Sequence, residues 1–253
     1  MKKSSQVNFI SVVVPVYNEE GCLQELIDRT LKALTSTGKK FEFILVDDGS
    51  RDRSAEIMKA AADAHPDVVI ACILNRNYGQ HSAIMAGFSL VRGDLVITLD
   101  ADLQNPPEEI PKLVAKLREG YDVVGTIREN RKDTFFRRWA SKMVNFMVRK
   151  LCNGKTMTDY GCMLRGYSRN VVNAILDCPE HGKFIPMLAM SYARRTIEIH
   201  VKHADRTAGE SKYNIWKLIA LQYDLLTGTS VFPLRMLTYI GTLLAIFGIL
   251  FGI

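Results

Sequence analysis

Leu95-Val96-Ile97-Thr98-Leu99-Asp100-Ala101-Asp102-Leu103-Gln104 runs from an apolar, β-rich stretch straight into two carboxylates one residue apart. Five such residues bounded by polar ones are too few for a helix and fit a buried strand over 95–99. A chain that turns at the strand end brings both carboxylates to one point. Hard divalent cations take oxygen ligands, commonly one or two carboxylates completed by substrate phosphates. Two close carboxylates also repel each other unless a cation sits between them. The residues that follow, Asn105-Pro106-Pro107-Glu108-Glu109, open a helix with proline and acid in its first turn. Helix capping accounts for Glu108 and Glu109 but not for Asp100 and Asp102.

Outward from this point the chain alternates. Strands are expected over 9–14, 41–46, 68–74, 95–99 and 123–126, with helices at about 20–37, 54–64, 82–91 and 107–119. This βαβα rhythm predicts an α/β fold, a mostly parallel sheet with helices on both faces. Ligands of such sheets bind beyond the carboxyl ends of the strands. Polar clusters fall there: Tyr17-Asn18-Glu19, Asp47-Asp48-Gly49-Ser50, Asn75-Arg76-Asn77 and Asp100-Ala101-Asp102. Loops are polar in any protein, yet four successive strand ends loaded in this way point to a site. No G-x-G-x-x-G follows the first strand, which excludes a dinucleotide fingerprint. Gly154-Lys155-Thr156 is not a P-loop, because Arg149 holds the required first glycine position.

The 253 residues carry 47% hydrophobic and 24% charged residues, which excludes a disordered or collagen-like chain. The net charge is +6. Nine basic and two acidic residues lie between Arg128 and Lys155, so that segment carries the whole surplus. The five cysteines, at 22, 72, 152, 162 and 178, are odd in number and lack C-x-x-C spacing. That argues against a disulfide framework and a zinc site, and suits a reducing compartment. Residues 9–16 contain Pro15 and lead to Tyr17-Asn18-Glu19-Glu20, so they read as a first strand rather than a signal peptide.

Residues 135–151 are amphipathic, with Phe135, Trp139, Met143, Phe146, Met147 and Leu151 on one side and basic residues mainly on the rest. A domain helix with a solvated basic face and a helix at an anionic membrane surface both fit. Residues 212–227 form a second amphipathic stretch. Residues 236–253 hold no charge, and eighteen residues make a helix of about 27 Å, close to a bilayer core. A membrane span is expected there, with the preceding residues cytoplasmic because Arg235, Lys217 and Lys212 lie before it. The expected organisation is a catalytic domain over 1–210, juxtamembrane amphipathic helices over 211–235 and a transmembrane helix over 236–253. The chain is expected to be truncated within or at the end of that span.

The blocks VVVPVYNEE (12–20), LVDDGS (45–50), NRNYGQHSAIMAGF (75–88), DADLQNPPEE (100–109), DYGCMLRGY (159–167) and GESKY (209–213) resemble glycosyltransferase family 2, with its GT-A fold. They cover nearly the whole chain and are most similar to the polyprenyl-phosphate glycosyltransferases. The resemblance implies a metal-dependent, inverting transfer of a sugar from a UDP-sugar to undecaprenyl phosphate at the cytosolic face of a bacterial inner membrane. The wording of the blocks points to 4-deoxy-4-formamido-L-arabinose as the sugar, hence to lipid A modification and polymyxin resistance. Glucose or mannose remains open on the residues alone. It implies Pro15, Tyr17, Asn18 and Glu19 around the nucleoside, Asp48 on the uracil, and Asp100, Asp102 and Gln104 on Mn²⁺ or Mg²⁺. It further implies Arg206, Ser211 and Lys212 on the donor diphosphate, and Arg128, Arg137 and Ser141 on the acceptor phosphate. Asp159 stands where relatives carry a carboxylate near the acceptor; a turn residue before Tyr160-Gly161 is the other reading.

The chemistry of the reaction agrees. Departing UDP gains negative charge, which a cation, Arg206 and Lys212 would stabilise. A phosphate monoester acceptor, with a second pKa of about 6, needs little deprotonation but does need a cationic pocket. Expected partners are the bilayer and a second copy of the chain, with no nucleic acid. A processive polysaccharide synthase is disfavoured because its Q-x-x-R-W motif is missing. An inactive scaffold on the same fold is disfavoured because Asp100, Asp102, Arg206 and Lys212 are all in place. His81, at a helix start, reads as structural.

Overall fold

The computed structural model describes residues 9–128, 157–159, 162–178, 184–203 and 232–251. The expected amphipathic helices at 135–151 and 212–227 lie outside them. Two compact units divide the chain: Met1–Cys178 with Ile185–Gly209, and Pro179–Phe184 with Glu210–Ile253.

The first unit is built on a seven-stranded sheet of order β3-β2-β1-β4-β6-β5-β7. The strands are β1 Phe9–Val16, β2 Lys40–Asp47, β3 Val69–Ile73, β4 Leu95–Thr98, β5 Val123–Arg128, β6 Arg165–Ser168 and β7 Thr196–Val201. The helices are α1 Leu23–Ser36, α2 Ser54–Ala64, α3 Gln80–Leu90, α4 Ile110–Arg118, α5 Arg169–Leu176 and α6 Ile185–Tyr192. A single 3₁₀ turn, Pro107–Glu109, leads into α4. β1 pairs in parallel with β2 and β4, and β2 with β3. Its run FISVVVPV is almost wholly buried because helices cover both faces of a central parallel strand.

The side-chain alternation of β1 divides the core. Val12 and Val14 join Leu26, Leu45 and Leu113 on one face, while Val13 joins Ile44, Phe88, Tyr167 and Ile175 on the other. α1 buries Leu23, Leu26, Ile27, Thr30, Ala33 and Leu34, the i, i+3, i+4, i+7 stripe of a helix seated on a sheet. Each large aliphatic buried there stabilises the fold by about 1.5–3 kcal/mol.

Two strands lie outside the expected set. β6 runs antiparallel between β4 and β5, and β7 pairs in parallel with β5. β5 is therefore separated from β4 by a strand that enters later in the sequence. The reversal puts the first residue of β6, Arg165, opposite Thr98 at the end of β4. Val201, at the end of β7, pairs with Arg128, at the end of β5. One edge of the sheet thus collects the ends of β1, β2, β4, β5 and β7 and the start of β6.

In the second unit, α7 spans Phe232–Phe251. Leu237, Leu243, Leu244, Phe247 and Leu250 on it are exposed. Among the described residues no helix is long and apolar enough to cross a membrane. α7 covers 236–251 of the helix expected over 236–253, and residues 252–253 lie outside the described residues.

Candidate active site

The loop after β1 is tied to the loop after β2. Asn18 takes a left-handed φ of 54°. Its N–H donates to Ser50 Oγ at 2.9 Å and its Oδ1 accepts from the Arg51 N–H at 2.8 Å. The Glu19 N–H donates to Ser54 Oγ at 3.0 Å. These cross-links occupy the chain up to Glu20 and are why α1 starts at Leu23 instead of at 20. Tyr17 is exposed and Pro15 half-buried beside them.

Asp48 is only 3% exposed. Its Oδ1 accepts the Tyr78 N–H at 2.7 Å and its Oδ2 the Gly79 N–H at 2.9 Å. Each oxygen keeps a second lone pair. Gly49, at φ +71°, lets the 75–79 loop approach this closely, since a Cβ there would lie 2.5 Å from the Arg76 carbonyl carbon. Gly79, at φ +93°, turns the chain into α3, which therefore begins at Gln80 and not at 82. Tyr78 is fixed further by its hydroxyl, which donates to Asn75 Oδ1 at 2.8 Å, and by the Arg76 guanidinium 4.8 Å from its ring centre.

Asp100 and Asp102 follow β4 at the same edge, both half-buried. The Gln80 amide donates to Asp100 Oδ1 at 2.7 Å. Burial, then repulsion from Asp102, pushes the Asp100 carboxyl up to about 7. Leu103 adopts φ 59°, and the Gln104 N–H donates to Asp102 Oδ1 at 3.1 Å. Beneath this turn the Cys22 thiol donates to the Ala101 carbonyl at 3.2 Å, and the Cys162 thiol to Asn105 Oδ1 at 3.4 Å. The turn that carries the carboxylates is therefore held from below by buried groups.

Across the sheet edge, Arg128 and Asp159 form a fork. Nε lies 2.7 Å from Oδ2 and Nη2 2.9 Å from Oδ1, with the side chains 15% and 6% exposed. Arg165 is fully buried, and its Nη2 donates to the Asp159 carbonyl at 3.0 Å. The charge of Arg165 reaches both Asp100 and His81. Burial first, and Arg165 second, push the His81 imidazole down to about 4. His203, just beyond β7, is pushed down by burial and by Arg128 while Asp102 and Asp159 oppose the shift.

The structure therefore brings Asp100, Asp102, Gln104, Arg128 and Asp159 to one edge, and Pro15, Tyr17, Asn18, Glu19 and Asp48 to the neighbouring loops of that edge. Arg137, Ser141, Arg206, Ser211 and Lys212 lie outside the described residues. Gln80, Arg165 and His203 join the site without having been singled out. Arg165 was hidden because a charged residue inside MLRGY resembles an ordinary surface position. His203 stands just past β7, and that strand brings it within reach of Arg128, Asp102 and Asp159, which lie far from it in sequence.

The carboxyl edge of a mostly parallel α/β sheet thus carries paired acids, a left-handed loop and two arginines tied to Asp159. The chain belongs to glycosyl transferase family 2, whose model matches residues 11–176, and is a glycosyltransferase. Undecaprenyl-phosphate 4-deoxy-4-formamido-L-arabinose transferase of Shewanella sediminis is 59% identical over 254 residues, covering 100% of this chain and 76% of that protein. The protein of the same name from Edwardsiella ictaluri is 57% identical over 253 residues, covering 100% of this chain and 78% of that one. Among solved structures, glucosyl-3-phosphoglycerate synthase from Mycobacterium tuberculosis, in complex with Mn²⁺, UDP and phosphoglyceric acid, superposes with a TM-score of 0.66 at 18% identity. That match covers 90% of this chain and 80% of that one. Mannosyl-3-phosphoglycerate synthase from Rubrobacter xylanophilus gives 0.64 at 15% identity, over 93% and 75% of the two chains. These likenesses establish a GT-A-like α/β fold.

Proposed function

We propose that this chain transfers 4-deoxy-4-formamido-L-arabinose from its UDP-sugar to undecaprenyl phosphate, at the cytosolic face of a bacterial inner membrane. The observation that carries this is the 59% identity, over the full length of the chain, to a relative named for that transfer. The product would serve lipid A modification and resistance to polymyxin. The 1–210 portion is the catalytic domain, 211–235 the juxtamembrane segment and 236–253 the span.

The reaction breaks the bond between the anomeric carbon and the UDP oxygen and forms one to an oxygen of the acceptor phosphate, with inversion. Asp48 and the 15–19 loop take the nucleoside. Asp100 and Asp102, with Gln104, would hold Mn²⁺ or Mg²⁺. The fit is supported by the closeness of the two carboxylates: burial first, and repulsion from Asp102 second, raise the Asp100 carboxyl, and a cation relieves both. Among the described residues no set of three or more His, Cys, Asp and Glu forms a metal cage. Two carboxylates suit an ion that takes its other oxygens from a diphosphate and water. When bound, the ion supplies charge neutralisation on the departing diphosphate.

The acceptor phosphate is an anion and meets cations. Arg128, Arg137 and Ser141 would bind it, and Arg206, Ser211 and Lys212 would bind the donor diphosphate. Asp159 holds Arg128 in orientation, and Arg165 holds the backbone of Asp159. Because the nucleophile is already ionised, the role of Asp159 is positioning more than proton removal.

The test offers the full-length protein, in membranes with undecaprenyl phosphate, UDP-4-deoxy-4-formamido-L-arabinose, UDP-glucose and GDP-mannose separately, with and without EDTA. Glycolipid from the formamido-arabinose donor alone, lost in EDTA, is the expected result. Product from another donor overturns the sugar, and EDTA-resistant product overturns the metal.

A further inference from the structure

We propose that Gln80 is a positioning residue of the donor site, locking Asp100 in place and joining it rigidly to the loop anchored on Asp48. The inference rests on the proposed donor site. Gln80 is the first residue of α3, and its amide donates to Asp100 Oδ1 at 2.7 Å. A carboxylate has only acceptors, so the amide nitrogen is the atom that faces it. With Oδ1 engaged, Asp100 presents Oδ2.

The position of Gln80 is set from the other side. The two residues before it, Tyr78 and Gly79, give their N–H groups to the two oxygens of Asp48. Asp48 lies at the end of β2, and Asp100 lies at the end of β4, with β1 between them. Nothing in the pairing of β1, β2 and β4 links the two carboxylates directly. The path Asp48 to Tyr78–Gly79 to Gln80 to Asp100 does so with three hydrogen bonds of 2.7–2.9 Å and two peptide units. One end of this path faces the nucleobase, and the other faces the diphosphate. The 75–79 loop resists bending because Tyr78 is held by Asn75 and Arg76.

Three candidate roles separate cleanly. A structural Gln80 would alter folding. A Gln80 that touches the nucleoside would alter UDP binding with or without metal. A Gln80 that orients Asp100 alters only binding that runs through Asp100. The experiment measures UDP binding by calorimetry to the full chain in nanodiscs, with Mn²⁺ and with EDTA, beside the electron paramagnetic resonance of bound Mn²⁺. Gln80→Ala is expected to weaken Mn²⁺-dependent UDP binding about tenfold, the scale of one hydrogen bond to a charged group. Metal-free UDP binding should stay within about twofold, and the thermal midpoint within about two degrees. Asp48→Asn should weaken Mn²⁺-dependent binding less in the Gln80→Ala background than in the wild type, because the path is already cut.

Equal weakening with and without metal, or full additivity of the two substitutions, overturns the inference. So does a Gln80→Ala protein that binds Mn²⁺ and UDP like the wild type. A wild-type protein that binds no UDP overturns the functional reading itself. The two failures are therefore distinguishable.

Discussion

Arg128 and Asp159, thirty-one residues apart, meet as a two-pronged ion pair at 2.7 and 2.9 Å with little of either side chain exposed. Breaking such a pair leaves one buried charge uncompensated, at a cost of about 3–5 kcal/mol. Arg128→Ala is thus expected to lower the thermal midpoint by about 6–20 °C and, where the protein remains folded, to raise the KM for lipid phosphate. Arg128→Lys keeps the charge but loses the fork, and should fall between. A melting curve unchanged by Arg128→Ala would refute the pairing.

Asp159→Asn separates orientation from proton removal. The amide leaves Arg128 with one acceptor in place of two. Turnover with lipid phosphate should fall, while UDP affinity in the presence of Mn²⁺ stays within about twofold. A rate in the variant that rises with pH, unlike the wild type, would instead assign Asp159 to proton removal.

Asp102→Asn is expected to abolish metal-dependent turnover and leave the fold intact. Removing one of two repelling carboxylates relieves strain, so its thermal midpoint should match or exceed that of the wild type. Full activity in this variant would end the assignment of Asp102 to the cation.

Glu42 is fully buried at the opposite edge of the sheet. It accepts from the Ser11 hydroxyl at 2.6 Å, the Arg92 N–H at 2.6 Å and Arg92 Nε at 2.7 Å. Glu42→Ala orphans these donors and should cost about 2–4 kcal/mol, or roughly 4–16 °C in midpoint. Its kcat, measured well below that midpoint, should not change. A loss of activity without a loss of stability would contradict this division of the sheet into a supporting and a reacting edge.

His81, held down to about 4 by burial and by Arg165, stays neutral in the fold and charges readily in the unfolded chain. The unfolded state therefore binds more protons between pH 6.5 and 4, and stability falls as the pH is lowered through that window. The full effect is roughly 3 kcal/mol. His81→Gln should flatten the decline, as read by denaturant unfolding at pH 7 and pH 5. An equally steep decline in the variant would assign it to other groups.

Much of this is legible in the sequence itself. β1, β2 and β4 are uninterrupted apolar runs, and α1 carries a full helical stripe, so local pattern sufficed. β6 defeats that reading, because Arg165-Gly166-Tyr167-Ser168 has neither alternation nor apolar character. Its place depends on partners about seventy and forty residues earlier, Thr98 and Val124. Ile197, Ile199 and Val201 do alternate in β7, a signal that period-two counting recovers. In the site, Asp100 and Asp102 declared themselves by chemistry. Gln80 did not, because an amide at a helix start has no meaning until the fold sets a carboxylate beside it.

The fork between Arg128 and Asp159 also fastens the two ends of one stretch of chain. Arg128 ends β5, and Asp159 stands six residues before β6. The clasp joins the two beyond the ladder between β5 and β6, which pairs Val123 with Tyr167 and Val124 with Gly166. Two charge-assisted hydrogen bonds thus do for the outer end of this strand pair what backbone bonds do nearer its middle.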